Sequence, residues 1–310
     1  MKKLRLLLIA ALALVLAVSV GMLIRQNIQY REGEEAYAEA EALVELPDLS
    51  QLPRPEPVPE EAPSEEEIAP EEQPVYVDPY ADALRNMDFS ALWEVNSDVL
   101  GWILIPGTAV SYPVVQGTDN DYYLNHTWKK WTSVVGSIFL ECQNSRDLSD
   151  FNTIIYGHRM NNGSMFASLK NYKKQSWWSD HPCVYITDDS GSHKYEIFAA
   201  YEVSTEGETY RLGFGSDREK QAFIDYCLAQ SVIDTGVVPR TYDRILTLST
   251  CTGQGHATRW VVQAVLRGEA PQEAEAPLEE LPPEEEEKKA PSALDIALGR
   301  ATGKAEEPAS

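Results

Sequence analysis

The chain has 310 residues, with 26 lysines and arginines against 49 aspartates and glutamates, a formal charge of −23 at pH 7. That acid surplus excludes a nucleic-acid binder, which needs a basic surface to displace phosphate counterions. Most of the surplus sits in two flanks: residues 32–78 carry 16 acids and one base, and residues 269–310 carry 12 acids and four bases.

At the N-terminus, Lys2, Lys3 and Arg5 precede an uncharged, mostly apolar run from Leu6 to Ile24. At 1.5 Å per residue this run makes about 28 Å of helix, enough to cross a hydrocarbon core of roughly 30 Å. A cleavable signal peptide is the competing reading, with Ala17-Val18-Ser19 as its small-residue site. Signal peptides, however, usually carry an apolar region of only about 7–15 residues. Residues 1–31 are therefore expected to be a cytoplasmic basic end and an uncleaved membrane anchor, with the rest of the chain outside.

Residues 32–78 alternate glutamates with prolines from Pro53 to Pro74. Such a segment has little apolar surface to offset its ordering entropy, and its like charges repel. It reads as an acidic, disordered tether, with a helix-compatible Ala/Glu stretch from Glu34 to Glu45. Residues 269–310 read as an acidic disordered tail to which no function attaches.

Residues 79–268 are the expected folded domain. One or two short helices fall between Asp82 and Asp98. Eight strands follow: Gly101–Ile105, Ser111–Val115, Val134–Glu141, Thr153–Tyr156, Val184–Thr187, Tyr195–Glu202, Ile245–Thr250 and Trp260–Leu266. Pro106-Gly107, Asn161-Asn162-Gly163, Asp188–Gly191 and Gly253–Gly255 punctuate them. A short helix is expected over Met165–Tyr172. A longer one runs from Asp217, which can cap it, to Gln230, with Phe223, Ile224, Cys227 and Leu228 on one face. Short, mostly antiparallel strands with inserted helices predict a mainly β fold, a closed β-barrel.

Four cysteines could form two disulfides, but their spacing shows no paired framework and a core of this size needs no staples. Cys142, Cys183 and Cys227 read as buried thiols. Zinc held by Cys251, His256, His158 and Cys183 is a weak competitor, because neither a Cys-x-x-Cys nor a His-x-x-x-His pair is present. Cys251 stands apart: it ends the strand Ile245–Thr250 and precedes a flexible Thr-Gly-Gln-Gly stretch, a setting that suits a nucleophile approached by a bulky substrate. Arg259 opens the next strand, and a hairpin would return it near Cys251, where a permanent cation can stabilise a thiolate or an oxyanion. From spacing alone, a strand-end salt bridge is the simpler account of Arg259. His158 follows the strand Thr153–Tyr156 through Gly157, which permits an unusual turn, and an imidazole there can act as acid and then base. His256 remains a backup base.

These stretches resemble the class B sortases of Gram-positive bacteria. The likeness is carried by Leu100–Gly107, Tyr112–Gly117 with Asp119–His126, Tyr156-Gly157-His158-Arg159-Met160 through Phe166, and Thr247-Leu248-Ser249-Thr250-Cys251. The resemblance implies an eight-stranded barrel with N-terminal helices and a helix before the seventh strand. It further implies a transpeptidase with Cys251 as nucleophile, His158 as general acid and base, and Arg259 stabilising charge. In that reading Cys251 cleaves a C-terminal sorting pentapeptide of a secreted protein after Thr, and the thioester passes to an amine of peptidoglycan or of a pilin lysine. The pentapeptide is Asn-Pro-x-Thr-Asn-like or Pro-x-Thr-Gly-like. Tyr156, Ser249 and the Asn125 region should border the peptide groove, and neither metal nor cofactor is required. Thr252 stands where relatives often carry an acid. The chain's own end, Gly303–Pro308, carries no sorting signal, so the protein is not expected to be a wall-sorted substrate itself. A papain-like peptidoglycan endopeptidase would place its cysteine before its histidine, the reverse of the order here. A non-catalytic surface barrel is the other alternative.

Overall fold

The computed structural model describes residues 2–55, 78–252 and 257–267. A single helix, α1 (Lys2–Leu43), opens the chain, and its first half exposes an apolar surface long enough to cross a membrane. Two short helices follow, α2 (Pro79–Leu84) and α3 (Ser90–Val95). The strands are β1 (Val99–Leu104), β2 (Ser111–Val115), β3 (Ile138–Leu140), β4 (Asn152–Tyr156), β5 (Cys183–Asp188), β6 (Gly191–Ser204), β7 (Ile245–Cys251) and β8 (Thr258–Arg267). A 3₁₀ segment, Phe166–Lys173, and helix α4 (Gln175–Asp180) lie between β4 and β5, and α5 (Asp217–Gln230) precedes β7.

The strands close into a barrel in the order β1-β2-β3-β4-β7-β8-β6-β5. The pairs β2–β3 and β4–β7 are parallel and the rest antiparallel, so the expected barrel is observed with a mixed sheet. Closure removes the free edges that an open sheet would expose. The interior is filled by large side chains such as Trp102, Phe139 and Tyr185, all buried. A second apolar layer forms where α5 lays Phe223, Ile224 and Cys227 on Phe198 and Tyr201 of β6.

Several boundaries differ from expectation for local reasons. Strand β3 is shorter than Val134–Glu141 because Gly136 adopts φ +62° and turns the chain just before it. Strand β8 starts earlier than Trp260, which places Arg259 inside the ladder. The N-cap of α5 is Ser216, whose side chain accepts from the Glu219 amide, while Asp217 sits in the first turn, where its charge suits the helix dipole.

The expected tether over 32–78 is corrected over its first half. Residues to Leu43 continue α1, and Ala36, Tyr37, Ala40 and Val44 are buried against the barrel. The fit is close: the Trp128 indole donates to the Ala36 carbonyl at 2.7 Å, Lys129 pairs with Glu39 at 2.7 Å, and Tyr37 donates to the Gly136 carbonyl at 2.5 Å. Acid-rich composition hid this face, because only every third or fourth residue needs to be apolar for a helix to dock. Leu46, Leu49 and Leu52 continue along the core, and Arg54 pairs with Asp180 at 2.7 Å. The acidic segment 56–77, His256 and the tail from 268 lie outside the described residues.

Candidate active site

Three strands deliver three side chains to one end of the barrel. In the β7–β8 ladder Cys251 is paired directly with Arg259, so the expected hairpin does bring the two together. Strand β4 runs parallel to β7 with Tyr156 opposite Ser249, and the chain leaves β4 through Gly157 to His158. Gly157 is required by space rather than by an unusual turn: a Cβ there would lie 2.4 Å from Ile138 Cδ1 and 2.6 Å from Phe166 Cδ2. This tight packing holds His158 beside the strand end.

The imidazole is fixed from one side, its Nε2–H donating to the Leu124 carbonyl at 2.6 Å. The remaining ring nitrogen is then the one available for proton exchange. The interaction of His158 with Cys251 lowers the thiol's pKa and raises the imidazole's. Burial opposes the first shift, and Arg259 and Arg159 reinforce it. The arrangement favours a thiolate–imidazolium pair beside a guanidinium.

All three residues line a cleft of about 580 Å³. Tyr156 and Ser249 line it as expected; Asn125 does not. Asn125 is exposed at the end of the turn Tyr122–Leu124, and Leu124 and Asn120 take its place on the wall. Tyr210, Thr205 and Phe139 also line the cleft and carry no sequence motif that marks them. Tyr210 stacks on Tyr156 with centroids 6.4 Å apart and shares a hydrogen bond with Ser249 at 2.9 Å. Beneath this wall the buried Glu141 accepts from Tyr156 Oη at 2.8 Å and Asn120 Nδ2 at 2.7 Å, fixing both. Asn152 holds the segment that carries Tyr210, its amide donating to the carbonyls of Thr209 and Arg211.

All four cysteines are free thiols; Cys183 and Cys227 are buried and Cys142 only half-buried. No group of three or more His, Cys, Asp or Glu side chains suited to a metal occurs among the described residues. Cys183 of the weak zinc reading belongs to the core packing.

A closed mixed barrel whose β7–β8 register pairs a cysteine with an arginine, beside a histidine from the end of β4, defines a narrow class of proteins. The family model described as Sortase domain matches residues 103–267. The chain is 37% identical over 163 residues to sortase B of Staphylococcus aureus and 38% identical over 170 residues to sortase B of Listeria monocytogenes. These matches span 53% and 55% of this chain and 67% of each relative. Among solved structures, sortase B from Bacillus anthracis in complex with AAEK1 superposes with a TM-score of 0.61 at 30% identity, over 78% of this chain and 99% of that one. A Staphylococcus aureus sortase B–substrate complex superposes with a TM-score of 0.56 at 35% identity, over 59% of this chain and 85% of that one. The chain belongs to the sortase family and, within it, to the class B sortases.

Proposed function

We propose that the chain is a membrane-anchored cysteine transpeptidase that joins secreted proteins bearing a C-terminal sorting pentapeptide to an amine acceptor. The observation that carries this reading is the placement of Cys251, His158 and Arg259 on the wall of one cleft. The Cys251 thiolate attacks the carbonyl carbon of the motif's Thr, forming a C–S bond and a tetrahedral oxyanion. Arg259 supplies the cation that meets this charge, a role worth several kcal/mol when an oxyanion donor is lost. Collapse breaks the C–N bond, and the His158 imidazolium protonates the departing amine. The resulting thioester conserves acyl energy. An incoming amine of a wall peptide, or of a pilin lysine, attacks it, gives its proton to His158, and releases the Cys251 thiolate.

Helix α1 holds the cleft near the bilayer, since its second half is packed on the barrel. Twelve residues at 1.5 Å separate Ile24 from Ala36, about 18 Å. Substrates carrying their own apolar span would be met at that height.

The test is a sorting-peptide assay with an added amine. Mass spectrometry should trap a thioester on Cys251, and Cys251→Ala or methanethiosulfonate treatment should abolish both thioester and joined product. A Cys251→Ala protein that still joins peptide to amine removes the proposal.

A further inference from the structure

The residue after each of the three site residues belongs to a second feature of the same barrel end. Arg159 follows His158, Thr252 follows Cys251, and Trp260 follows Arg259. These three line a second hollow of about 230 Å³, together with Lys170, Lys173 and Lys174. Four cations thus surround a small space in a protein whose overall charge is −23. No acid lines that hollow, and none of the four cations has an ion-pair partner among the described residues. Elsewhere the barrel pairs its cations: Lys130 with Asp98, Lys194 with Asp78, Arg267 with Glu196.

A second feature fixes one of these cations beside the barrel wall. Trp260 of β8 is 3% exposed, so its ring is a fixed part of the wall. The Lys173 ammonium stands 4.8 Å from the centroid of the Trp260 ring, which holds one cation at the hollow.

We propose that this hollow binds carboxylate groups of the amine acceptor, so that the acceptor is an anionic peptide whose amine lies within a residue or two of a carboxylate. The proposal rests on the transpeptidase reading and adds the chemical class of the second substrate. Thr252 adjoins the nucleophile, so a carboxylate held here places a nearby amine within reach of the thioester on Cys251. Fixing the amine in this way replaces a bimolecular encounter by an oriented one.

The experiment uses the full chain and one short amine-bearing wall peptide in two forms, with free carboxylates and with those carboxylates amidated. The wild-type enzyme should show a KM for the free acid about tenfold below that for the amide, corresponding to about 1.4 kcal/mol. Lys170→Glu with Lys174→Glu should erase this preference, and salt well above 0.1 M should weaken it. Equal KM values in the wild type, or an unchanged preference in the charge-reversed variant, overturn the proposal. Calorimetric titration of the free-acid peptide onto the Cys251→Ala protein reads the hollow without any thioester. Binding there that weakens on charge reversal supports the assignment; no binding, or binding that charge reversal leaves unchanged, overturns it. Failure of the wild type to form a thioester would instead strike the transpeptidase reading, and the titration would still report on the hollow. Competition by inorganic pyrophosphate, with no discrimination between acid and amide, overturns the choice of carboxylate.

Discussion

Cys227 lies on the inner face of α5 against Tyr201, sealed by the second apolar layer, whereas Cys251 ends β7 at the edge of an open cleft. Burial pushes the Cys227 thiol up to about 11, and the same cause pushes Cys183 on β5 up to about 12. Cys251 is half-buried, yet its pKa falls, because its interaction with His158 and the charges of Arg259 and Arg159 outweigh desolvation. The two regions share a residue type and a barrel and differ in which cations reach the sulfur. The lowered thiol pKa is therefore a property of the strand end where β4, β7 and β8 meet, whereas Cys183 and Cys227 belong to the core packing.

The sharpest way to break this contrast is to delete each sulfur in turn. Cys251→Ala should lower transpeptidation by at least about 10³-fold, with melting temperature nearly unchanged. Cys227→Ala should do the opposite, retaining activity while costing about 1–2 kcal/mol of stability for the small buried void. Activity that follows Cys227 rather than Cys251, read by product formation and thermal melting, would invert the assignment.

Arg259 comes next in expected size. Arg259→Met keeps the stem and removes the cation, and kcat should fall about 10²–10³-fold. Because Arg259 also lowers the Cys251 pKa, the variant's thiol should behave more like an ordinary one. Alkylation by iodoacetamide across a pH series measures this directly. A variant whose alkylation profile shifts while kcat holds would limit Arg259 to thiolate stabilisation.

The same profile resolves His158. A lowered thiol pKa means that the thiolate, the alkylated species, is present at lower pH. His158→Gln removes the largest stabilising contact of that thiolate, so the profile should move to higher pH and alkylation at neutral pH should slow several-fold. Cys183 and Cys227 should stay unreactive in the folded wild type at every pH in the series. An unmoved profile in His158→Gln would leave the cations alone to explain the difference between the thiols.

Much of this contrast was legible in the sequence, and the physical reason is period. Alternation and turn residues marked all eight strands, and the resemblance pointed to Cys251, His158 and Arg259 before any geometry. From the residues alone Arg259 was marked only by the hairpin, and its exact pairing with Cys251 needed the earlier start of β8. The wall of the cleft was not legible. Tyr210 reaches it from a loop held by Asn152, which is 58 residues away in the chain, and Asn120 replaces Asn125 through the local turn around Tyr122. Such placements depend on tertiary contacts that no local pattern encodes. Nor was the docking of α1, because Ala36, Tyr37 and Ala40 are too sparse among glutamates to stand out.

That docking supplies the smallest expected effect. Tyr37 on α1 donates to the Gly136 carbonyl at 2.5 Å. Gly136 in turn backs the site: a Cβ there would lie 2.8 Å from His158 Cδ2 and 2.7 Å from the Leu124 carbonyl oxygen, the atom that receives the His158 Nε2 proton. A path of direct contacts therefore runs from the anchor helix to the imidazole that distinguishes Cys251 from the other thiols. Tyr37→Phe keeps the edge-on packing against Tyr112 and removes one hydrogen bond, a loss of about 1 kcal/mol and a melting temperature lower by a few degrees. If the path positions His158, kcat should fall about two- to fivefold and the Cys251 alkylation profile should move slightly to higher pH. Lost stability with an unmoved profile would reduce the helix contact to a prop for the barrel.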